Sequence, residues 1–155
     1  MATCPHGRST VRILYVGHTY LVAENQKKLL ALAAQPGVDL ALVTPHVWYE
    51  PVLGQNLPHI PANAPFSMRT ICTVWPGVEQ YYWYLSLDLG MRHFRPDVLC
   101  VEQGAGSFAY AQSLVARNLF APRAKAVFFT WWNLPYRARW PIRAVERFNL
   151  SQSQG

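Results

Sequence analysis

RILYVGHTYLVAENQKKLLALAAQPGVDLALVT, residues 12–44, decides the fold by the order of its patterns. Residues 12–16 form a short apolar run that predicts a buried strand. From Glu24 the pattern turns helical, with Val22, Leu29, Leu30 and Ala33 on one side and Glu24 four residues before Lys28. Pro36 and Gly37 stop that helix, and residues 39–44 supply a second strand. Strand, helix, strand is a βαβ unit, whose crossover is right-handed and whose strands are parallel. The turn between the first strand and the helix carries Gly17, His18 and Thr19. A strand that ends at a small residue and feeds a helix leaves backbone donors at the carboxyl edge of the sheet, where open α/β folds bind ligands.

The pattern continues along the chain. Residues 45–65 carry five prolines, at 45, 51, 58, 61 and 65, which exclude a long regular element and predict an excursion over the strand ends. MRTICTVW (68–75) reads as a strand, and VEQYYWYLSLDLGMRHFR (78–95) as an aromatic-rich helix ended by Pro96. DVLCVE (97–102) is a continuous apolar run suited to a strand buried on both faces. Gly104 and Gly106 make the following turn, and Ser107 is the expected N-cap of a helix that turns Phe108, Ala111 and Val115 toward the sheet. KAVFFTW (125–131) is a fifth strand and PIRAVERFNL (141–150) a helix opened by proline. The expected architecture is a single Rossmann-like doubly wound parallel α/β sheet over residues 11–150. Residues 1–10 are expected to be a disordered lead-in and 151–155 a tail or the start of a linker. The functional edge should hold the loops after residues 17, 44, 102 and 130.

A chain of 155 residues is long enough to bury a core without disulfides or metals. Cys4, Cys72 and Cys100 are far apart, with no CxxC and no histidine at ligand spacing, so free thiols are expected, two of them buried in strands, and no metal site. Charged residues are only 14%, against roughly 25% in an average soluble domain, and aromatic residues reach 14%. Such a composition implies an unusually apolar surface or a missing partner. No apolar run approaches the roughly 20 residues that span a bilayer, and the N-terminus lacks the apolar core of a secretory signal, so a cytoplasmic location is expected. A formal net charge of +6 admits an anionic partner. Nucleic acid is the weakest such partner, because no helix-turn-helix, RRM aromatic pattern or zinc site accompanies the charge.

The turn at Gly17, His18 and Thr19 lacks GxGxxG, and no P-loop, HExxH helix or nucleophile elbow appears in the sequence. Gly17 is either a tight turn only or part of a site, and His18 stands at the start of the crevice. Glu102, Gln103 and Gly104 follow the fourth strand. A carboxylate there either caps backbone N–H groups or accepts hydrogen bonds from a neutral, hydroxyl-rich ligand, since it repels phosphate at the same helix start. Of Trp131 and Trp132, which point to opposite faces if the strand continues, one packs and one lines the crevice, and Asn133 can read a hydroxyl. Arg139, Arg143 and Arg147 recur every four residues and Arg137 adds to them, while Ile142, Val145 and Phe148 lie elsewhere on the helix surface. This is either a solvated basic face or a patch suited to an anionic membrane at the inner face.

Taken together, the GHTY turn with its N-Q-x-K helix, PGVDLALVTP, RPDVLCVE, FFTWWN and the I-x-x-x-E-R-F helix resemble the N-terminal domain of glycosyltransferase family 4. The resemblance covers nearly the whole chain after residue 11. It implies the acceptor-side half of a GT-B glycosyltransferase: two Rossmann-like domains facing across a cleft, with retention of anomeric configuration and no metal or other cofactor. The co-substrate is a nucleotide-sugar, held mainly by a C-terminal donor domain, and the acceptor is a sugar or a lipid-linked sugar. The family's paired-glutamate motif belongs to that C-terminal half. The five glutamates of this chain include no pair eight positions apart. Gly17 and His18 match the family's cleft loop after the first strand, and Glu102 an acidic residue that some members carry after the fourth. By this reading the partner is a donor domain supplied in cis or in trans, and this chain alone is inactive. The rival reading is a non-catalytic binding module that pairs with a separate subunit or an anionic membrane.

Overall fold

The computed structural model describes residues 10–52, 54–130 and 138–154. Four of the expected apolar runs become strands β1 (Val11–Val16), β2 (Val38–Pro45), β8 (Val98–Glu102) and β9 (Lys125–Phe129). With β5 (Ser67–Ile71) they form one sheet in the order β5-β2-β1-β8-β9, every neighbouring pair parallel. The chain therefore builds outward from β1 in one direction, then returns to the other side of β1 with β8. That reversal is a topological switch at the carboxyl ends of β1 and β8, the place where open α/β sheets bind ligands.

Alternation along the strands sorts side chains onto two faces. Leu14, Val16, Ala41, Val43, Leu99, Val101 and Ala126 meet Tyr110 and Leu114 of α3 (Phe108–Phe120) and Met91 of α2 (Met91–Phe94). On the other face Leu40 and Leu42 pack with Tyr20, Phe66 and Leu29 of α1 (Ala23–Ala33). Helices thus cover both faces, and the fold is a Rossmann-like α/β sheet. The final helix α4 (Ile142–Gln152) packs on α3, and Asn149 holds the α3 entrance by donating to the carbonyls of Ala105 and Ser107 at 2.7 and 3.1 Å.

Several expectations are corrected. Residues 78–95 are not a helix. β7 (Trp83–Tyr84) pairs antiparallel with β6 (Thr73–Val74), and only Met91–Phe94 is helical. Tyr82 and Tyr84 are buried two positions apart, the period of a strand, and Leu89 and Gly90 both take positive φ, which a helix does not permit. Residues 68–75 are not one strand either. The central strand ends at Ile71, and Cys72 at the break is exposed rather than buried. Cys100 is half-buried within β8, where burial raises its thiol pKa, and Cys4 lies outside the described residues. Residues 45–65 hold no long element, as expected, but β3 (Trp48–Glu50) and β4 (Gly54–Asn56) form a short hairpin there.

Helix faces also differ from their expected orientation. α3 buries Ala109, Tyr110, Ser113, Leu114 and Ala116, while Val115 is exposed. Ser107 is the N-cap in backbone conformation, yet its hydroxyl donates to Glu79 O instead of capping the helix. In α1 Val22 is exposed, and Glu24 pairs with Lys27 rather than Lys28. In α4 Ile142 is buried, leaving Arg143 and Arg147 exposed on the outside.

Candidate functional site

The site is built from two turns that meet at the switch. Gly17 N donates to Val43 O at 3.1 Å, which carries the strand pairing one residue past β1. A Cβ at Gly17 would lie 3.2 Å from the Glu102 carbonyl and 3.2 Å from the Tyr20 ring. Glycine is required here for close approach, not for an unusual φ. The backbone then enters a single 3-10 turn at Thr19–Leu21, which delivers His18 to the crevice and Tyr20 to the sheet face beneath it.

His18 sits in an aromatic box. Its ring stacks on Trp48 at 4.2 Å and 24° and meets Tyr82 edge-on at 5.9 Å, while Trp48 and Tyr82 meet at 4.8 Å. Trp48 comes from the proline-rich excursion and Tyr82 from the segment before β7. Desolvation in this box lowers the His18 pKa to about 4, against an opposing contribution from Gln103. The imidazole is neutral at pH 7. Its Nδ1 lies 3.0 Å from Gln103 Nε2, which donates to it, so the ring proton resides on Nε2. Nε2 has no hydrogen-bond partner among the described residues. Gln103 also donates to the Tyr82 hydroxyl, and its own Oε1 is buried without a partner.

Glu102 is engaged by side chains of the β1 turn and of α1. It is 3% exposed, and its carboxylate accepts from the Tyr20 hydroxyl, the Lys28 ammonium and the Thr19 hydroxyl, the last at 3.4 Å. It therefore ties the end of β8 to the β1 turn and to α1, behind His18. The neighbouring carboxylate pushes the Tyr20 pKa up, after burial as the first cause. Lys28 lies over the Tyr20 and Phe129 rings at 5.0 and 5.5 Å, so its charge is held by both a carboxylate and two π faces.

Gly104 opens the entrance to α3 and lines a cavity of about 120 Å3 with Glu79, Ser107, Thr130 and Glu146. Two carboxylates beside a helix N-terminus disfavour a phosphate there. Gly17, His18, Thr19, Glu102, Gln103 and Gly104 are thus brought together. Trp131, Asn133 and Arg137 lie outside the described residues. Arg139, Arg143 and Arg147 are exposed and belong to the α4 region. Nothing in the local sequence marks Trp48, Tyr82, Tyr20 or Lys28 as site residues. No group of three His, Cys, Asp or Glu side chains that could hold a metal occurs among the described residues, and no helix among them is long and apolar enough to cross a membrane.

A measurable consequence concerns pH. An unfolded His18 titrates near 6.5 and the folded one near 4, so between these values the unfolded chain takes up a proton that the folded chain refuses. Stability contributed by neutral His18 is complete above pH 6.5 and declines as pH falls toward 4. At pH 4.5 the loss from this residue is about 2–3 kcal/mol. Urea unfolding at pH 7 and 4.5 should show a larger gap for the wild type than for His18→Asn. Equal gaps would mean that His18 titrates as an exposed imidazole.

The fold and the crevice together define a Rossmann-like α/β domain with a polar-aromatic site at its topological switch. Comparison with family models, with curated proteins and with solved structures gives no match.

Proposed function

We propose that this chain is the acceptor-side domain of a retaining glycosyltransferase resembling family 4, and that the crevice at His18 receives a sugar or lipid-linked sugar acceptor. The observation that carries the reading is the neutral His18 ring, stacked on Trp48 with an uncommitted Nε2–H, at the switch between β1 and β8. Sugars present C–H faces that pack on aromatic rings and hydroxyls that accept and donate hydrogen bonds. A neutral donor beside aromatic walls fits such a ligand, and the carboxylates near Gly104 disfavour a phosphate. The nucleotide-sugar is then held from the facing side, by a donor domain in cis or in trans.

The test has two parts. The 155-residue chain is expected to show no sugar transfer from nucleotide-sugar donors, and measurable transfer by it alone would overturn the division of labour. Calorimetric titration with mono- and disaccharides should give weak binding that His18→Ala reduces about tenfold, the loss of roughly one hydrogen bond with its stacking contact. Saccharide binding unaffected by His18→Ala would place the acceptor elsewhere.

A second reading is favoured by one feature, the outer side of α4 and its approach. Arg139, Arg143 and Arg147 are exposed beside Trp140, which is 83% exposed, and beside Phe148 and Leu150. Basic and aromatic groups in this arrangement suit peripheral attachment to an anionic membrane, in line with a cytoplasmic, inner-face location. Co-sedimentation with anionic vesicles that Arg143→Gln/Arg147→Gln abolishes would support it, and no sedimentation would remove it.

A further inference from the structure

At the opposite edge of the sheet, where β1, β8 and β9 begin, lies a cavity of about 410 Å3 walled by Arg12, Arg95, Asp97, Phe120, Pro122 and Arg123. We propose that it is a binding site for a phosphate-bearing ligand, separate from the crevice at His18 and independent of the glycosyltransferase reading.

Five basic side chains stand at this edge, Arg12, Arg92, Arg95, Arg123 and Lys125, with Asp39 and Asp97 as the nearby carboxylates. Asp97 is already engaged: its Oδ2 accepts from the Arg12 backbone N–H at 2.9 Å and lies 3.5 Å from Arg12 Nε, contacts that lower its pKa. Asp39 stands opposite Arg12 in the β1–β2 register and forms no ion pair with it. Arg92 rests over the Phe120 ring at 4.5 Å. Arg95, Arg123 and Lys125 have no carboxylate within ion-pair distance among the described residues. The carboxyl end of α3 reaches the same edge, and its dipole offsets only about half a charge. Arg95 and Arg123, neither with a carboxylate in ion-pair distance among the described residues, thus line the same concave surface as Arg12.

The local backbone reinforces this reading. Arg95 has φ +51°, a conformation that non-glycine residues rarely adopt, directly before Pro96. It turns the chain sharply from α2 toward β8 and sets Arg95 beside Asp97 and Arg123 in the cavity wall. Guanidinium forks match phosphate oxygens two at a time, which lysine cannot do. Pro96, Phe120, Pro122 and Ala124 supply an apolar wall for the organic part of a phosphate ester. The same chemistry is offered by a soluble phosphate ester and by the headgroup of an anionic lipid.

The probe is inorganic pyrophosphate, titrated into the full chain at 150 mM salt while backbone amide shifts are followed by NMR. Shifts should concentrate at Arg12, Arg95, Asp97 and Arg123, and Arg95→Gln/Arg123→Gln, both exposed positions, should weaken binding at least tenfold. Lys27→Gln on the exposed side of α1 is the control and should leave it within twofold. A second arm uses vesicles of phosphatidic acid in phosphatidylcholine. Sedimentation that pyrophosphate competes away and the Arg95/Arg123 variant loses assigns the site to a lipid headgroup, whereas pyrophosphate binding without sedimentation assigns it to a soluble ester. Absence of pyrophosphate shifts, or equal weakening by the Lys27 control, overturns the proposal.

Discussion

Glu102→Ala is expected to destabilise the fold by about 3 kcal/mol, far more than an ordinary surface carboxylate. Three partners lose their acceptor at once: the fully buried Tyr20 hydroxyl, the Thr19 hydroxyl and the Lys28 ammonium. A buried hydroxyl left without a partner costs about 1–3 kcal/mol. Lys28 is half-exposed and can turn to water, which limits its share. Glu102→Gln keeps an acceptor for Tyr20 and forfeits only the charge, so its cost should be near 1 kcal/mol. With a urea slope of about 2 kcal/mol/M the alanine variant should unfold roughly 1.5 M earlier. The exposed Glu24, paired only with Lys27, is the comparison, and Glu24→Ala should move the midpoint by no more than about 0.3 M. If Glu102→Ala behaves like Glu24→Ala, the brace between β8 and α1 does not exist. The same variant should lower saccharide binding, because the brace positions the turn that carries His18.

Leu99→Ala should cost about 3–5 kcal/mol, comparable to or larger than the loss of the brace. Leu99 is fully buried in β8, opposite Leu14 of β1 and Ala126 of β9, in the cluster that meets α3. Its neighbours belong to two flanking strands and a helix, and such a site collapses poorly around a cavity, which places the cost in the upper part of the range for leucine truncations. Val115→Ala on the exposed side of α3 should cost no more than about 0.5 kcal/mol. Chemical denaturation of the two variants separates the observed α3 face from the one expected from sequence, in which Val115 faces the sheet. Comparable costs for the two would contradict the observed packing.

What the sequence shows of this fold follows from how local each signal is. β1, β2, β8 and β9 are continuous apolar runs bounded by proline, glycine or polar residues, and a strand buried on both faces carries that signature by itself. The position of the site edge follows from those strands, so Gly17, His18 and Gln103 are legible as crevice residues. The hairpin β6–β7 is not, because aromatic residues suit a helix face and a strand equally, and the two-residue alternation of Tyr82 and Tyr84 is too short to outweigh the apolar run around it. α3 carries apolar residues nearly all round, so its buried face is chosen by where β8 and the Asn149 contacts hold the chain. Glu102 is visible by position, yet its role depends on Lys28, 74 residues earlier in the chain. Trp48 lies in a proline-rich excursion whose path is set by tertiary contacts, and nothing local marks it as the platform under His18.

The proposed role of the switch between β1 and β8 is to receive a hydroxyl-rich acceptor. Titration of isotope-labelled protein with a panel of saccharides, observed through the backbone amides and the His18 and Trp48 side chains, addresses it most directly. The account predicts progressive shifts confined to Gly17, His18, Thr19, Gln103, Gly104 and the Trp48 indole, with His18 remaining neutral at pH 7 throughout. Saccharide-induced shifts clustered on another surface, or none at any residue of the crevice, would contradict it.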